Sequence, residues 1–254
     1  MPGLFQIDHQ QFSGFCKQQG LLLEDAQLTA MRTYLELLIG WNKKINLTAL
    51  SDWRTAMLEL VADSFQLHSF LDRLPLNGDV LQGEKAKAYP HTSTYTTAGT
   101  IDKAAGIRQS NRPHCWDLGA GAGLPGIPLR IVWPSGSYHL IELREKRALF
   151  LQTVLARLKL AGSFVHRKDA GLFMSEECGQ GRPADLILSR AFMPWQKLPD
   201  YVRPYLATGG ILLLMLNGSH FEAEIPGWEL VAHCSYKSPP GPRQLAALTP
   251  KQRS

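Results

Sequence analysis

The sequence has no apolar run long enough to cross a membrane. Its longest one, residues 210–216, is far shorter than the roughly 20 residues that a membrane-spanning helix needs. Residues 1–8 also lack the basic segment followed by an apolar segment that begins a secretory leader. We therefore expect a cytoplasmic protein that has no membrane partner.

Cysteine and histidine do not occur at the spacing of metal ligands. The four cysteines form no Cys-x-x-Cys pair and have no histidine at ligand spacing; they are Cys16, Cys115, Cys178 and Cys234. The eight histidines are dispersed as well. The pattern predicts neither a disulfide framework nor a zinc site, and we expect no metal.

Acidic residues are the minority among the charged ones. The 254 residues include 27 lysines and arginines against 22 aspartates and glutamates, which gives a formal net charge of +5. This excess favours a polyanionic partner, because lysine and arginine beside phosphates release bound counterions. With 44% hydrophobic residues, the chain is long enough to bury one large core.

Residues 1–76 predict an N-terminal helical region. Apolar residues recur there at three- and four-residue spacing, first over residues 28–38 and again over residues 53–65. Ser51 is suited to cap the second helix, and Trp41 continues the apolar face and is expected to pack. Residues 77–113 are rich in small and polar residues without periodicity, and we interpret them as a flexible insertion.

Residues 114–254 alternate short apolar runs with helical stretches. The runs that predict strands are 115–118, 138–142, 164–166, 185–189 and 210–216, followed by a strand pair at 228–236 and 244–248. Such alternation predicts an α/β fold: a mostly parallel seven-stranded sheet with helices on both faces. Ligands of such sheets bind beyond the carboxyl ends of the strands.

A glycine-rich turn follows the first of these strands. The segment from Asp117 to Gly126 reads DLGAGAGLPG. Glycine allows positive φ and lets a ligand approach the backbone, and the helix that follows offers free N–H groups. Glu142 ends the next strand about 20 residues later, where a carboxylate accepts hydrogen bonds from ribose hydroxyls. These features predict a site for an adenosine-containing cofactor.

Two classes of cofactor fit this turn. The letters GAGLPG, which begin at Gly121, also match the Gly-x-Gly-x-x-Gly pattern of dinucleotide-binding proteins. Asp117 favours S-adenosylmethionine, because a carboxylate attracts the ammonium of its amino-acid moiety and repels a pyrophosphate. These residues leave two alternatives open: an enzyme that binds a nicotinamide or flavin cofactor, and a turn that serves chain geometry alone.

Further stretches extend the pattern. The glycine turn continues to Leu129 as GIPL, and Glu142 is followed by KRALFL from Lys146. The letters WNKKINLT lie near the N-terminus, DS begins at Asp63, and SRAF begins at Ser189. Together these stretches, which span residues 28–248, resemble the bacterial 16S ribosomal RNA guanine-N7 methyltransferases, also called glucose-inhibited division protein B.

The resemblance implies a Rossmann-like class I methyltransferase that uses S-adenosylmethionine. It implies that Glu142 holds the ribose and that the cofactor contacts a further set of residues: Gly119, Leu124, Asp169, Ala170 and Arg190. Gly121 and Gly123 complete the candidate turn on the glycine pattern itself. Asp169 also suits a helix cap, and Arg190 also suits an ion pair with Asp185 or another acid of the site.

The implied substrate is a guanine of 16S ribosomal RNA, free or in the small ribosomal subunit, and we expect a monomer. Guanine N7 has an in-plane lone pair, so methyl transfer requires alignment more than a strong base, and we assign no catalytic residue. Arg144, Lys146 and Arg147 begin the helix after Glu142 and are candidates to bind RNA phosphates. A solvated helix face explains them as well, and Lys43 and Lys44 pose the same choice.

Two positions depart from the family pattern. Leu60 stands where a histidine usually precedes the Asp-Ser pair, and Asn217 stands where a lysine usually follows the fifth strand. These departures leave two alternatives open. One is a methyltransferase of the same fold that acts on another RNA or a small substrate, and the other is an RNA- or cofactor-binding protein without catalysis.

Overall fold

The computed structural model describes residues 5–74, 94–96, 112–218, 221 and 224–251. Apart from residues 94–96 and 112–113, the predicted flexible insertion lies outside the described residues. Within these ranges no helix is long and apolar enough to span a membrane, and no cluster of three or more His, Cys, Asp or Glu is arranged to hold a metal ion.

The N-terminal region is helical, as predicted. It contains α1 (His9–Gln18), α2 (Asp25–Ile45), α3 (Trp53–Ala56), a π-helical turn (Met57–Val61) and α4 (Ala62–Leu71). Asn46 ends α2 in the left-handed conformation, at a φ of 49°. The expected cap, Ser51, is wrong by one residue: the carboxylate of Asp52 accepts the N–H of Thr55 at 2.9 Å, because α3 begins only at Trp53.

One sheet carries the rest of the fold. Its strands are β1 (Thr94–Thr96), β2 (His114–Leu118), β3 (Ser137–Ile141), β4 (Ser163–His166), β5 (Ala184–Arg190), β6 (Leu206–Asn217), β7 (Trp228–Ser238) and β8 (Gly241–Pro250). They lie in the order β1-β7-β8-β6-β5-β2-β3-β4. The strands from β2 to β6 pair in parallel, and β8, β7 and β1 add antiparallel pairs.

All seven predicted strands are confirmed, and the structure adds β1. This strand pairs with β7 at the edge of the sheet, where Tyr95 lies opposite Cys234. Three residues are too few to show the period-2 alternation that identifies a strand in a sequence. Part of the predicted insertion is therefore an edge strand.

Helices cover both faces of the sheet. The N-terminal helices pack on one face together with α5 (Gly126–Val132) and α6 (Glu145–Leu158), whereas α7 (Ala170–Gly179) and α8 (Leu198–Val202) pack on the other. Neighbouring residues of β5 serve both faces, since Leu186 and Leu188 enter the first core and Ile187 enters the second. The carboxyl ends of β2 to β6 consequently lie along one edge, which we call the carboxyl edge.

Three histidines that are dispersed in the sequence meet on the α7 face of the sheet. Nε2 of His114 lies 3.0 Å from Nε2 of His139, and Nδ1 of His139 lies 2.9 Å from Nε2 of His166. Burial lowers the pKa of His139 to about 3, and the charges of the neighbouring histidines lower it further. We call these three rings the histidine chain; its middle ring, His139, is uncharged at neutral pH.

Candidate cofactor site at the carboxyl edge

The glycine turn connects the end of β2 to α5. Gly119, Gly121 and Gly123 have φ values of 70°, 57° and 79°, in the left-handed region that favours glycine. The N–H groups of Gly119 and Ala120 donate to the carbonyl oxygen of Ile141, at 2.9 and 3.0 Å. These bonds fix the turn against the end of β3, which brings it beside Glu142.

The three glycines differ in their surroundings. A Cβ on Gly119 would lie 2.8 Å from Cδ2 of Phe192, and a Cβ on Gly123 would lie 2.6 Å from Cδ1 of Ile127. A Cβ on Gly121 would come no closer than 3.6 Å to any heavy atom of the described chain beyond its own neighbours. Packing therefore requires glycine at 119 and 123, whereas Gly121 borders space in which a ligand can approach the backbone. Leu124, the next predicted contact, is partly buried against the first core.

Glu142 directly follows β3 and faces the turn. Its Oε2 accepts the N–H of Gly121 at 2.9 Å, and its Oε1 accepts the N–H of Arg144 at 2.8 Å. Each oxygen of the carboxylate has a further lone pair that can accept a ribose hydroxyl. The structure thus brings together Gly121 and Glu142, which the sequence predicted to serve one cofactor.

Asp169 and Ala170 follow β4 at the next position of the carboxyl edge. Oδ1 of Asp169 accepts the N–H of Leu172 at 3.1 Å, so the side chain caps α7, which is one of its two expected roles. The Asp169 side chain is otherwise exposed, and Ala170 is buried in the second core.

The ends of β2, β3 and β4 together fit an adenosine-containing cofactor. They offer an open backbone position at Gly121 and two carboxylates, Glu142 and Asp169, on adjacent strands. An open glycine permits close approach, and carboxylates accept hydrogen bonds from hydroxyl and amino groups. Contact of each predicted residue with the cofactor stays a prediction.

Asp117 is closed to a ligand, contrary to the role expected for it. It is 1% exposed, and it accepts the hydroxyl of Tyr138 at 3.2 Å and the N–H of Gly126. Burial raises the pKa of Asp117 to about 7, although these hydrogen bonds and Arg190 act to lower it. The carboxyl group fixes the start of α5 to β2, and it presents no open side to an ammonium group.

Arg190 ends β5 and pairs with an acid of the N-terminal region. Its Nη2 lies 3.4 Å from Oδ2 of Asp63, which is on α4 and 2% exposed. Burial raises the pKa of Asp63, against the lowering effect of Arg190 and its other partners. The other expected partner, Asp185, instead accepts the N–H of His114 at 2.9 Å. The protein itself therefore holds Arg190, and a cofactor contact by this residue stays a prediction.

The three basic candidates lie at the start of α6, beside the turn. Arg144 and Lys146 are exposed, and Arg147 is partly buried. Nη1 of Arg147 is 3.8 Å from the position that a Cβ on Gly121 would occupy. These side chains border the candidate cofactor site, and RNA binding by them stays a prediction.

The sequence did not reveal how the N-terminal helices hold the turn. The hydroxyl of Tyr34 on α2 donates to the carbonyl oxygen of Ala122 at 2.9 Å, and the hydroxyl of Ser64 on α4 donates to that of Pro125 at 3.1 Å. A tyrosine within the apolar face of α2 was the available signal, since a buried phenol needs a partner. Trp41 packs as expected, with its ring 5.8 Å from that of Phe150.

Arg243, at the start of β8, is a second cation that the sequence did not identify. Its Nε lies 3.8 Å from Oδ2 of Asp63, the oxygen that Arg190 also approaches. A lone arginine ahead of the last apolar run was the available signal. No local pattern connects it with an aspartate of the N-terminal region.

A family model described as GidB, rRNA small subunit methyltransferase G, matches residues 100–238. The Ribosomal RNA small subunit methyltransferase G of Nitratidesulfovibrio vulgaris (strain DP4) is 37% identical over 251 residues, which are 98% of each chain. Its namesake in Lawsonia intracellularis is 38% identical over 80% of this chain and 78% of its own.

Solved methyltransferases are also similar to the chain. The SAM-dependent methyltransferase from Thiobacillus denitrificans, in complex with S-adenosyl-L-homocysteine, aligns with 57% of this chain and 88% of its own, with 13% identity and a TM-score of 0.43. The similarity to the Nitratidesulfovibrio vulgaris relative, by contrast, extends over 98% of the chain. The protein therefore belongs to the GidB family of rRNA small subunit methyltransferases, S-adenosylmethionine-dependent enzymes of Rossmann-like fold.

Proposed function

We propose that this protein transfers the methyl group of S-adenosylmethionine to N7 of a guanine in 16S ribosomal RNA. The observation that carries the proposal is the 37% identity over 98% of both chains with a relative named for small-subunit ribosomal RNA methylation. The net charge of +5 supports an RNA substrate. In this proposal the enzyme acts in the cytoplasm as a monomer, on the small ribosomal subunit or its RNA.

The carboxyl edge supplies the groups that would hold the cofactor. Gly121 leaves room at the backbone, and Glu142 and Asp169 offer carboxylate oxygens on the two strands beyond it. The bound cofactor supplies an electrophilic methyl group on a sulfonium. The chain must hold that methyl group still and exclude other nucleophiles from it.

Alignment accounts for the part of the reaction that falls to the protein. Guanine N7 attacks with a lone pair in the plane of the base, so no proton has to be removed and no side chain needs to act as a base. The nucleophile must reach the methyl carbon at roughly 3 Å, in line with the sulfur. The turn is suited to this, because Ile141, Tyr34 and Ser64 fix it from three directions.

The two departures from the family pattern lie outside the candidate cofactor site. Leu60 is partly buried against the first core, on the π-helical turn. Asn217 is exposed at the end of β6. Neither residue replaces a group at the ends of β2, β3 or β4, so the geometry supports an active enzyme.

The test is methyl transfer from labelled S-adenosylmethionine to small ribosomal subunits that lack N7-methylguanosine. We expect one labelled N7-methylguanosine in 16S ribosomal RNA. Glu142→Ala should abolish most of this transfer. Glu145→Gln removes an exposed carboxylate three residues later, at the start of α6, and should retain the transfer. Cofactor binding without transfer to the subunit or to free 16S ribosomal RNA would refute the proposal and favour another substrate or a binding role.

A further inference from the structure

Tyr201 has an unpaired hydroxyl group beside the candidate cofactor site. The residue lies on α8, is partly exposed and packs against the second core. Its hydroxyl makes no hydrogen bond within the described part of the chain, and it is not among the unpaired atoms there that are fully buried. Burial raises the pKa of Tyr201, and the charge of Asp169 raises it further, so the hydroxyl keeps its proton at neutral pH. It is therefore a donor that a ligand can reach from solvent.

Gly171 makes room for this hydroxyl. It stands in the first turn of α7, where glycine is a poorer helix former than alanine. A Cβ at this position would lie 2.9 Å from the hydroxyl oxygen of Tyr201 and 3.2 Å from Oδ1 of Asp169. Cβ atoms in proteins do not approach a neighbour as closely as the first distance, so a larger residue would displace the hydroxyl. The Tyr201 donor and the Asp169 carboxylate thus share one small space at the start of α7.

Phe192 connects this space with the glycine turn. Its Cδ2 is 2.8 Å from the position that a Cβ on Gly119 would occupy, and its ring centroid is 6.1 Å from that of Tyr201. Both rings are partly buried against the second core. A wall of two aromatic rings therefore runs from the turn at the end of β2 towards Asp169, on the α8 side of the candidate site.

The order of the groups in the cofactor indicates which of them this wall meets. In S-adenosylmethionine the ribose joins the adenine on one side to the sulfonium arm on the other. Glu142, the proposed ribose partner, directly follows β3, and Asp169 follows β4, the next strand of the sheet, about 4.8 Å away. A base that is attached to a ribose at Glu142 can therefore reach Asp169 and Tyr201.

The two side chains are complementary to the edge of adenine. Adenine carries an amino group, which donates, between the ring nitrogens N1 and N7, which accept. The Asp169 carboxylate only accepts, and its Oδ2 is not used by the helix cap, whereas the phenol of Tyr201 donates. Guanine and hypoxanthine carry a carbonyl oxygen in place of the amino group, and a carboxylate repels it. The pair is therefore suited to select adenine.

We propose that the hydroxyl of Tyr201 donates a hydrogen bond to a ring nitrogen beside the amino group of the cofactor's adenine, while Asp169 accepts from that amino group. Tyr201 then determines cofactor specificity. The proposal rests on the part of the proposed function that places the cofactor at Glu142 and Asp169, and it does not depend on the RNA substrate. The target guanine is the other base that approaches the site, but the methyl group that it attacks lies on the opposite side of the ribose.

The test measures by calorimetry how three ligands bind to the wild-type protein and to Tyr201→Phe. The ligands are S-adenosylhomocysteine and its 1-deaza and 7-deaza analogues, in which a C–H group replaces N1 or N7. We expect Tyr201→Phe to bind S-adenosylhomocysteine roughly 3- to 10-fold more weakly, the range of one hydrogen bond. One analogue should bind the wild-type protein more weakly by a similar factor, and Tyr201→Phe should not distinguish this analogue from S-adenosylhomocysteine.

Tyr205→Phe is the matched control. It removes the same group at the other end of α7, where Sγ of Cys178 donates to the carbonyl oxygen of Tyr205 at 3.6 Å. It should leave all three affinities unchanged. Gly171→Ala displaces the Tyr201 hydroxyl without changing Tyr201 itself, so it should weaken S-adenosylhomocysteine binding and remove the difference between the two ligands. Because alanine is the better helix former, thermal unfolding should show no loss of stability in this variant.

Three results would overturn the proposal. Unchanged S-adenosylhomocysteine affinity in Tyr201→Phe would leave the hydroxyl without a contact to adenine. Equal weakening of all three ligands, with the difference between them retained, would make Tyr201 a packing residue. Weaker binding of a labelled oligouridylate, measured by fluorescence anisotropy, with unchanged S-adenosylhomocysteine affinity would assign the hydroxyl to the RNA.

The proposed function fails separately from this contact. A wild-type protein that does not methylate 16S ribosomal RNA, but distinguishes the deaza analogue only when Tyr201 is present, would refute the methylation and retain the adenine contact. Methylation of 16S ribosomal RNA by a protein in which Tyr201→Phe changes no affinity would do the reverse.

Discussion

The two halves of the carboxyl edge present different chemical groups. The glycine half, at the ends of β2, β3 and β4, presents backbone at Gly121 and the carboxylates of Glu142 and Asp169. The arginine half, at the ends of β5, β6 and β8, presents two guanidinium groups on one buried carboxylate. The first half leaves backbone and carboxylate oxygens free for a ligand, whereas the arginines of the second half form ion pairs with a buried carboxylate of the protein itself.

The largest expected effect is at the glycine half. Gly121→Val places a branched side chain where the ligand meets the backbone, and we expect about a 100-fold loss of S-adenosylhomocysteine affinity, roughly 2.7 kcal/mol, by calorimetry. A left-handed φ in a branched residue also destabilises the fold by about 1–2 kcal/mol. Gly181→Val controls for this strain, because Gly181 has a φ of 73°, no described heavy atom within 4 Å of its would-be Cβ, and no place in the site. Equal cofactor affinity in both variants would contradict the site assignment.

Asp117→Asn tests whether the glycine half also uses a charge. The pKa of Asp117 is raised to about 7 in the folded protein, above its pKa in the unfolded chain. The protonated carboxyl group therefore contributes fully to stability at a pH below the unfolded-state pKa, and this contribution is lost as the pH rises through about 7. We expect the asparagine variant to gain about 1–3 kcal/mol over wild type at pH 8 and less at pH 5, by urea unfolding. Cofactor affinity should not change. A tenfold loss of affinity without a gain in stability would show that the carboxylate meets the cofactor's ammonium.

His139→Gln tests the support beneath the glycine half. The carbonyl oxygen of His166, the last residue of the histidine chain, accepts the N–H of Glu142 at 3.0 Å, so the chain is coupled to the site. The pKa of His139 is lowered to about 3 in the folded protein. Between about pH 6.5 and 3 this side chain is protonated in the unfolded chain and neutral in the folded protein, so the protein loses stability as the pH falls through this window. For each pH unit of acidification in this window, the free energy of unfolding of the variant should fall by up to about 1 kcal/mol less than that of the wild-type protein. An acid unfolding profile that is identical to that of wild type would exclude His139 as its cause.

The smallest expected effect is at the border of the glycine half, where Lys146 is exposed. Lys146→Gln removes an exposed cation at the border of the glycine half, and we expect roughly a 2- to 3-fold loss of oligouridylate affinity at low salt with no change in cofactor affinity. Arg157→Gln, at the other end of α6, is the control and should change neither. Wild-type RNA binding by Lys146→Gln would make the start of α6 a solvated helix face.

The sequence predicted the glycine half far better than the arginine half, and sequence separation explains why. The turn and Glu142 lie within one strand-helix-strand unit, so periodicity and glycine spacing locate them. Asp63, Arg190 and Arg243 come from three distant segments, and nothing local to any of them specifies the others. The alternative of an ion pair for Arg190 is confirmed, with Asp63 rather than Asp185 as the acid. The burial of Asp117 was missed for the same reason, because it depends on Tyr138 and Gly126 in the folded sheet.

The hydrogen bond between Tyr236 and Asp63 joins residues that are 173 positions apart, and this separation constrains how the chain is made. The N-terminal helices are synthesised first, with an aspartate that will be buried and has no partner yet. Its partners arrive from β5 and then from the last two strands, so this corner of the core is completed only when translation is nearly finished. A chain that stops before β7 lacks two of the groups that make burial of Asp63 tolerable. This cluster at the carboxyl edge thus makes stable folding depend on a complete chain.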